Sequence, residues 1–190
     1  MRRGVKVLTS NEGKFRELAG LAKEFGIELE WVNVPKWEIQ SEDLAEIAKF
    51  SAEIAFTIVK SPVIVEDTGL FIDALNGFPG PYTSYARKTI GLEGVLKLMQ
   101  GVEDRRAKFV TYLAYADSQG TRVFRGEVTG KIAEEIRGDR GFGFDPIFIP
   151  DGESRTFAEM DVPEKNKYSH RARAFRKFAE FYLTYTQGSP

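Results

Sequence analysis

Val5-Lys6-Val7-Leu8-Thr9-Ser10-Asn11-Glu12-Gly13-Lys14 is the stretch on which the fold turns. Val5 to Leu8 reads as a short buried strand, and it runs straight into a polar loop. Beyond the loop, Phe15, Leu18, Ala22 and Phe25 fall on one face at helical spacing, with Ser10 or Asn11 able to cap the helix. A strand handed to a helix in this way opens an α/β unit. Working outward, Ile27 to Val34 alternates as a strand ending at Pro35. Ser41 to Lys60 predicts a long helix through Leu44, Ile47, Ala48, Ile54, Ala55 and Ile58, closed by Pro62. Val63-Ile64-Val65 follows as a buried strand that ends at Glu66-Asp67-Thr68-Gly69. Asn76 to Pro81 is turn chemistry throughout, and Gly91 to Met99 predicts a short helix. Lys108 to Ala116 and Arg122 to Val128 flank Asp117-Ser118-Gln119-Gly120 as a hairpin. A second glycine-rich loop, Gly141 to Pro146, leads into Ile147-Phe148-Ile149. The last helix starts near Tyr168 or Ser169 and lines up Phe175, Phe178 and Tyr182. The sum is a mixed α/β fold. With no repeat or low-complexity linker, residues 1–190 read as a single domain of two small lobes around one cleft.

Composition narrows the chemistry. The 190 residues are 42% hydrophobic and 29% charged, an ordinary globular balance. There is no Cys, which removes disulfides and thiolate metal sites. His170 is the single His, so a metal would be held by oxygen ligands, which favours Mg²⁺ or Mn²⁺. The formal net charge of −1 offers no global field for nucleic acid. The start of the chain, Met1-Arg2-Arg3-Gly4, meets an apolar stretch too brief for a leader or a membrane span, so a cytoplasmic location and no membrane partner are expected.

Four segments can carry chemistry. The loop Thr9 to Lys14 joins a strand to a helix N-terminus, where free backbone N–H groups and the helix dipole attract anions. Thr9, Ser10 and Asn11 add side-chain donors, Lys14 adds a charge, and Gly13 keeps one position uncrowded. Read alone, the same residues are a helix cap beside a solvated Lys. Glu66-Asp67-Thr68-Gly69 lies at the carboxyl end of a buried strand, the usual place for ligands in open α/β sheets. Adjacent carboxylates on a continuing strand point to opposite sides, so one of them is expected to face the cleft. Asp67 with Glu38 makes a carboxylate pair suited to Mg²⁺ and phosphate oxygens, with Glu42 and Asp43 as rivals for the second place. Phe142-Gly143-Phe144-Asp145 can stack a base and accept a hydrogen bond from a ring N–H, although two Phe entering a strand are often core. Around Lys165-Asn166-Lys167-Tyr168-Ser169-His170-Arg171, Ser169 reads as an N-cap. His170 and Arg171 then sit in a first helical turn, where cations oppose the dipole and gain nothing for the helix. That conflict points to a ligand, whereas a solvated basic face is the plain alternative.

In this order the segments resemble the inosine triphosphate pyrophosphatase family, the non-canonical purine nucleoside-triphosphate pyrophosphatases. The resemblance also covers Asp73 to Gly80 and Thr156 to Met160, and so spans Thr9 to Arg171. It implies an elongated α/β fold with a long mixed sheet, two lobes around a deep cleft, and a homodimer. It implies hydrolysis of inosine, deoxyinosine and xanthosine triphosphates to monophosphate and pyrophosphate with Mg²⁺. By the same resemblance the loop Thr9 to Lys14 binds the substrate, with Thr9, Asn11 and Lys14 on the triphosphate. Asp67 is the catalytic base and a metal ligand, and Glu38 is the other ligand. Thr68 touches phosphate or sugar, while Phe142, Gly143, Phe144, Asp145, Lys165, His170 and Arg171 surround the purine. Two departures stand out. Ser51 occupies the place where many relatives carry a helical Lys, and Phe144 replaces a common Trp. A nucleotide sensor without turnover, a nucleic-acid module and a γ-phosphatase are the rival classes.

Overall fold

A computed structural model describes residues 4–187 as one seven-stranded sheet flanked by helices. Met1, Arg2 and Arg3, weighed above as the start of a leader, lie outside the described residues. The strands β1 (Val5–Leu8), β2 (Leu29–Val32), β3 (Val63–Ile72), β5 (Arg106–Asp117), β6 (Gly120–Ile132) and β7 (Phe148–Pro150) lie in the order β2-β1-β3-β5-β6-β7. A two-residue strand β4 (Pro79–Gly80) joins the edge of β3. The first three are parallel and the remaining pairings antiparallel, a mixed sheet as expected.

Side-chain alternation decides what covers each face. Ile64 of β3 packs with Val5, Val7 and Leu113 beneath α1 (Glu12–Phe25) and α6 (His170–Gln187). Its neighbours Val63 and Val65 face the other way, onto Ala48, Ala52 and Ala55 of α2 (Leu44–Val59). A third cluster builds the second lobe. Leu70, Ile72, Phe109, Val128 and Phe148 pack there with Ala86 of α3 (Thr83–Thr89) and Leu92 and Val95 of α4 (Gly91–Leu98).

Two expectations change. β3 does not end at Glu66 but continues through Gly69 to Ile72, because each of these polar residues is paired with β5, from Glu66 opposite Leu113 to Gly69 opposite Val110. Ladder pairing overrides their turn-forming character. The segment after Pro81 holds two helices, α3 and α4, where only one was expected; α3 has no side-chain cap to announce it. The short α5 (Val162–Asn166) also went unread, although Asp161 and Glu164 form a full capping box at its start.

The same topology opens the cleft. β1 pairs with β3 only at Lys6–Val7 against Val63–Ile64, and β4 takes the same edge at Leu70–Phe71. Between these contacts the edge of β3 from Val65 to Gly69 has no neighbouring strand. The gap lies at the carboxyl end of β1, where the chain turns into α1.

Candidate active site

The gap deepens into a cavity of about 630 Å³, within the range of small-ligand sites. The residues that the resemblance places at the substrate or metal line it, namely Thr9 to Lys14, Glu38, Asp67, Thr68, Phe142 to Asp145, Lys165, His170 and Arg171, whereas the rival acids Glu42 and Asp43 do not. Another hollow of similar size, walled by Leu96 to Arg105 and Glu134, holds no comparable set. Its Arg105 is consumed by the carbonyls of Ile132, Met99 and Ala133.

One end of the cleft is built for anions. Asn11 is the N-cap of α1, its Oδ1 accepting from Lys14 N at 3.0 Å, and Thr9 Oγ1 accepts from Asn11 N at 3.1 Å. The capping oxygen is thereby used, which leaves the Asn11 Nδ2 donors for a ligand. Glu12 is turned outward to Arg16 at 2.5 Å. Lys14 reaches across to Glu66 Oε1 at 2.5 Å.

Glu66 and Asp67 both line the cleft, a correction to the expectation that only one would, because the unpaired edge of β3 leaves room on either side of the strand. Their surroundings differ. Burial raises the Glu66 carboxyl, but Arg171 and Lys14 outweigh it and hold this group far below the usual range. Burial raises Asp67 too, and here it prevails over the pull of Lys36 and Lys14. Asp67 is therefore the more basic of the two at the open end, the property wanted of a proton acceptor. Lys36 donates to Glu66 O at 3.2 Å and lies 2.6 Å from Glu38 Oε1 and 3.8 Å from Asp67 Oδ1.

Among the described residues no three His, Asp or Glu side chains converge to hold a metal by themselves. Glu38 and Asp67 do converge on one cation, the Lys36 ammonium. Such a pair suits an ion that takes two carboxylates and completes its shell with phosphate and water, as Mg²⁺ does. Of the rival ligands, Asp43 spends its carboxylate capping Ala45 N at 2.8 Å.

The other end is a closed box of charge and rings. Arg171, 1% exposed, donates from Nη1 to Glu17 Oε2 at 2.5 Å and from Nε to Glu66 Oε2 at 3.2 Å. Its Nη2 donates to Thr68 Oγ1 at 3.3 Å. Thr68 Oγ1 also meets Glu66 Oε2 at 2.7 Å and Thr111 Oγ1 at 2.6 Å, so its hydroxyl is engaged inward. Lys165 Nζ bridges Glu17 Oε1 at 2.6 Å and Asp145 Oδ2 at 2.7 Å. Burial pushes the Asp145 carboxyl up against the pull of Lys165, with Glu17 adding to the rise; Glu17 itself, buried but between two cations, is lowered. Asp145 Oδ2 also accepts from Phe142 N at 3.0 Å, and Gly141 must be Gly because a Cβ would lie 2.2 Å from that oxygen. Phe142 is the ring with open surface, flanked by Lys165 at 4.9 Å and Arg171 at 5.4 Å from its centroid. Phe144 also lines the cleft but is 1% exposed and belongs to the core of the second lobe. The remaining glycine of the loop, Gly143, accepts Arg87 Nε at its carbonyl, 2.8 Å away. His170 stacks on Phe109 with centroids 4.6 Å apart, and its Nδ1 is buried without a partner. Burial first, then Arg171 and Lys165, hold its pKa well below the usual value, so it is neutral. The expected cationic run is thus not a solvated face at its start. Ser169 caps α6 through its Oγ, which accepts from Ala172 N at 3.2 Å, and the next two residues turn inward.

Sequence reasoning missed Glu17, Lys36, Arg87 and Phe109. Glu17 could have been found, since it is a carboxylate on the apolar face beside Leu18 and Leu21. Lys36 carried no such sign.

Residues 5–181 match the profile of the Ham1 family. The chain belongs to the Ham1 family. It is 58% identical to the dITP/XTP pyrophosphatase of Saccharolobus solfataricus, over 98% of either chain. It is 51% identical to the dITP/XTP pyrophosphatase of Methanopyrus kandleri, over 97% of this chain and all of that one. Two solved Ham1 structures share the fold. The Staphylococcus aureus Ham1 protein superposes with a TM-score of 0.80 at 29% identity, over 94% of this chain and 98% of the other. The HAM1 protein of Coxiella burnetii gives 0.81 at 28% identity, over 95% and 99%. The family reached from six sequence segments is therefore the one to which the whole chain conforms.

Proposed function

We propose that this Ham1 protein hydrolyses deoxyinosine, inosine and xanthosine triphosphates to the monophosphate and pyrophosphate, with Mg²⁺ held by Glu38 and Asp67. The observation that carries the reading is the shared cleft. A helix N-terminus with Lys14 stands at one end, an enclosed ring-and-charge pocket at the other, and the basic carboxylate Asp67 between them. The names of these two relatives supply the substrate class.

Asp67 takes a proton from a water whose oxygen attacks the α-phosphorus. The bond from that phosphorus to the bridging oxygen breaks, and pyrophosphate leaves with its charge met by Lys14 and the amides that open α1. Mg²⁺ on the two carboxylates would neutralise phosphate charge and favour in-line geometry. At the base end, neutral His170 and the N–H groups of Arg171 that its ion pairs leave over face O6 of hypoxanthine or xanthine. Adenine carries an amino donor there, and such a mismatch of buried polar groups can discriminate by about 10⁴-fold.

The assay uses Mg²⁺ with each of dITP, XTP, GTP and ATP, following pyrophosphate and orthophosphate separately. Pyrophosphate from dITP and XTP is expected; orthophosphate release, or ATP turned over as fast, overturns the reading. We further propose a cytoplasmic homodimer that neither binds nucleic acid nor enters membranes. Exposed Phe78, Tyr82, Tyr85 and Ile90 supply an apolar face for the partner. No described helix is long and apolar enough to cross a bilayer. A monomer by sedimentation would remove the dimer.

A further inference from the structure

Lys36 lies where a metal ion would be expected to act. Its ammonium is 2.6 Å from Glu38 Oε1 and 3.8 Å from Asp67 Oδ1, and it is anchored to Glu66 O at 3.2 Å. Its side chain is 15% exposed, whereas Glu38 is half-exposed. A divalent ion approaching the pair alone would have to share the Glu38 carboxylate with the ammonium that already holds its Oε1. Two cations on one carboxylate repel, and two carboxylates without further ligands bind such an ion weakly. Lys14 cannot take this part, because it is paired with the other acid, Glu66.

We propose that Lys36 is a resident cation that keeps the Glu38–Asp67 pair closed to free divalent metal and yields it only when a metal–nucleotide complex arrives. The hydrogen bond to Glu66 O keeps Lys36 at the edge of β3 while its remaining donors leave Glu38 for a phosphate oxygen. The carboxylate released passes to the metal. Charge is conserved in the exchange: the ammonium loses an acid partner and gains a phosphate one. Lys36 therefore acts as a positioning residue that couples metal entry to substrate entry. The inference rests on the assignment of the metal to Glu38 and Asp67.

The test measures Mn²⁺ binding to the full chain, by the loss of the free-ion paramagnetic signal, with and without the α,β-methylene analogue of dITP. Wild-type protein is expected to bind Mn²⁺ weakly alone and tightly with the analogue. Lys36→Met and Lys36→Gln should tighten nucleotide-free binding by about tenfold, the scale of one displaced neighbouring charge, and shrink the gain that the analogue brings. Lys36→Arg, which restores a cation, should return wild-type behaviour. A purely structural role would not tighten metal binding. If both neutral variants bind Mn²⁺ no better than wild type while Glu38→Gln abolishes analogue-dependent binding, the metal site stands and the role of Lys36 falls. If Glu38→Gln and Asp67→Asn leave analogue-dependent binding intact, the metal assignment falls and this inference falls with it.

Discussion

Gly13 in the first turn of α1 abuts the ring of Phe142, so closely that a methyl group at Gly13 would come within 2.4 Å of Cδ1. The anion-binding turn and the aromatic loop, 129 positions apart, are thus fitted to each other by the absence of one side chain. Phe142 has little room to yield, being flanked by Lys165 and Arg171. Gly13→Ala should displace the ring from the purine. Loss of a base–aromatic stacking contact is worth about 1–3 kcal/mol. KM for dITP should rise by about tenfold or more. Fitting the methyl against the Phe142 ring costs about 1–3 kcal/mol, more than Ala gains as a helix former in a first turn, so the melting temperature should fall as well. Steady-state kinetics beside a thermal melt separates the two effects; an unchanged KM would show that Phe142 does not stack the base.

Lys165 is the link whose loss the base pocket should tolerate least. It joins Glu17 to Asp145, and all three are nearly inaccessible to water. Removing one member of such a buried set costs about 3–5 kcal/mol, chiefly because the remaining charges are stranded. Lys165→Met should lose that much in urea unfolding. Asp145→Asn combined with it should recover part of the loss, since the stranded carboxylate is then gone. A fully additive double variant would mean that the two do not interact.

How far the sequence disclosed this arrangement depends on the range of the forces involved. Helical and strand periods are local, so β1, α1, α2 and the core stripe of α6 could be read, as could the caps Asn11 and Ser169. The length of β3 could not, because the pairing of Glu66 to Gly69 with β5 is a matter of residues more than forty positions away. The same limit hid the partners of Arg171: Glu17 and Glu66 lie 154 and 105 positions from it. Phe142 and Phe144 look equivalent in sequence, and only the packing of the second lobe makes one core and leaves the other open.

Ser51 tests whether α2 steadies the loop that carries Lys36 and Glu38. Ser51 is 2% exposed, its Oγ donates to Trp37 O at 2.7 Å, and Trp37 is the residue between Lys36 and Glu38 in the chain. Ser51→Ala removes one hydrogen bond, worth about 1 kcal/mol. The loop should loosen at the phosphate end while the base pocket, built from other elements, stays intact. A roughly three- to tenfold fall in kcat is expected for that energy, with KM for dITP little changed. Equal losses in KM alone would place the effect at the wrong end of the cleft.

His170 gives the fold a pH dependence whose sign can be worked out. Its folded pKa is lowered, so the folded protein refuses a proton that the unfolded chain accepts near pH 6.5. As pH falls below that value, unfolding is favoured by up to about 1.4 kcal/mol per pH unit until the folded His is itself protonated. Glu17 and Glu66, lowered in the folded state, also lose their contribution on acidification, but starting from the carboxylate range below. Asp67 and Asp145, raised by burial, act in the opposite sense between their unfolded and folded values. Comparison with a variant removes these carboxylate contributions. His170→Phe should keep the stacking on Phe109, and the chain has no other His to titrate. Urea denaturation from pH 7.5 down to 5 should therefore show the wild type losing stability relative to His170→Phe, with the gap widening toward low pH. Parallel curves would mean that the folded imidazole takes up its proton as readily as the unfolded one, and would remove burial as the force that keeps it neutral below about pH 6.5.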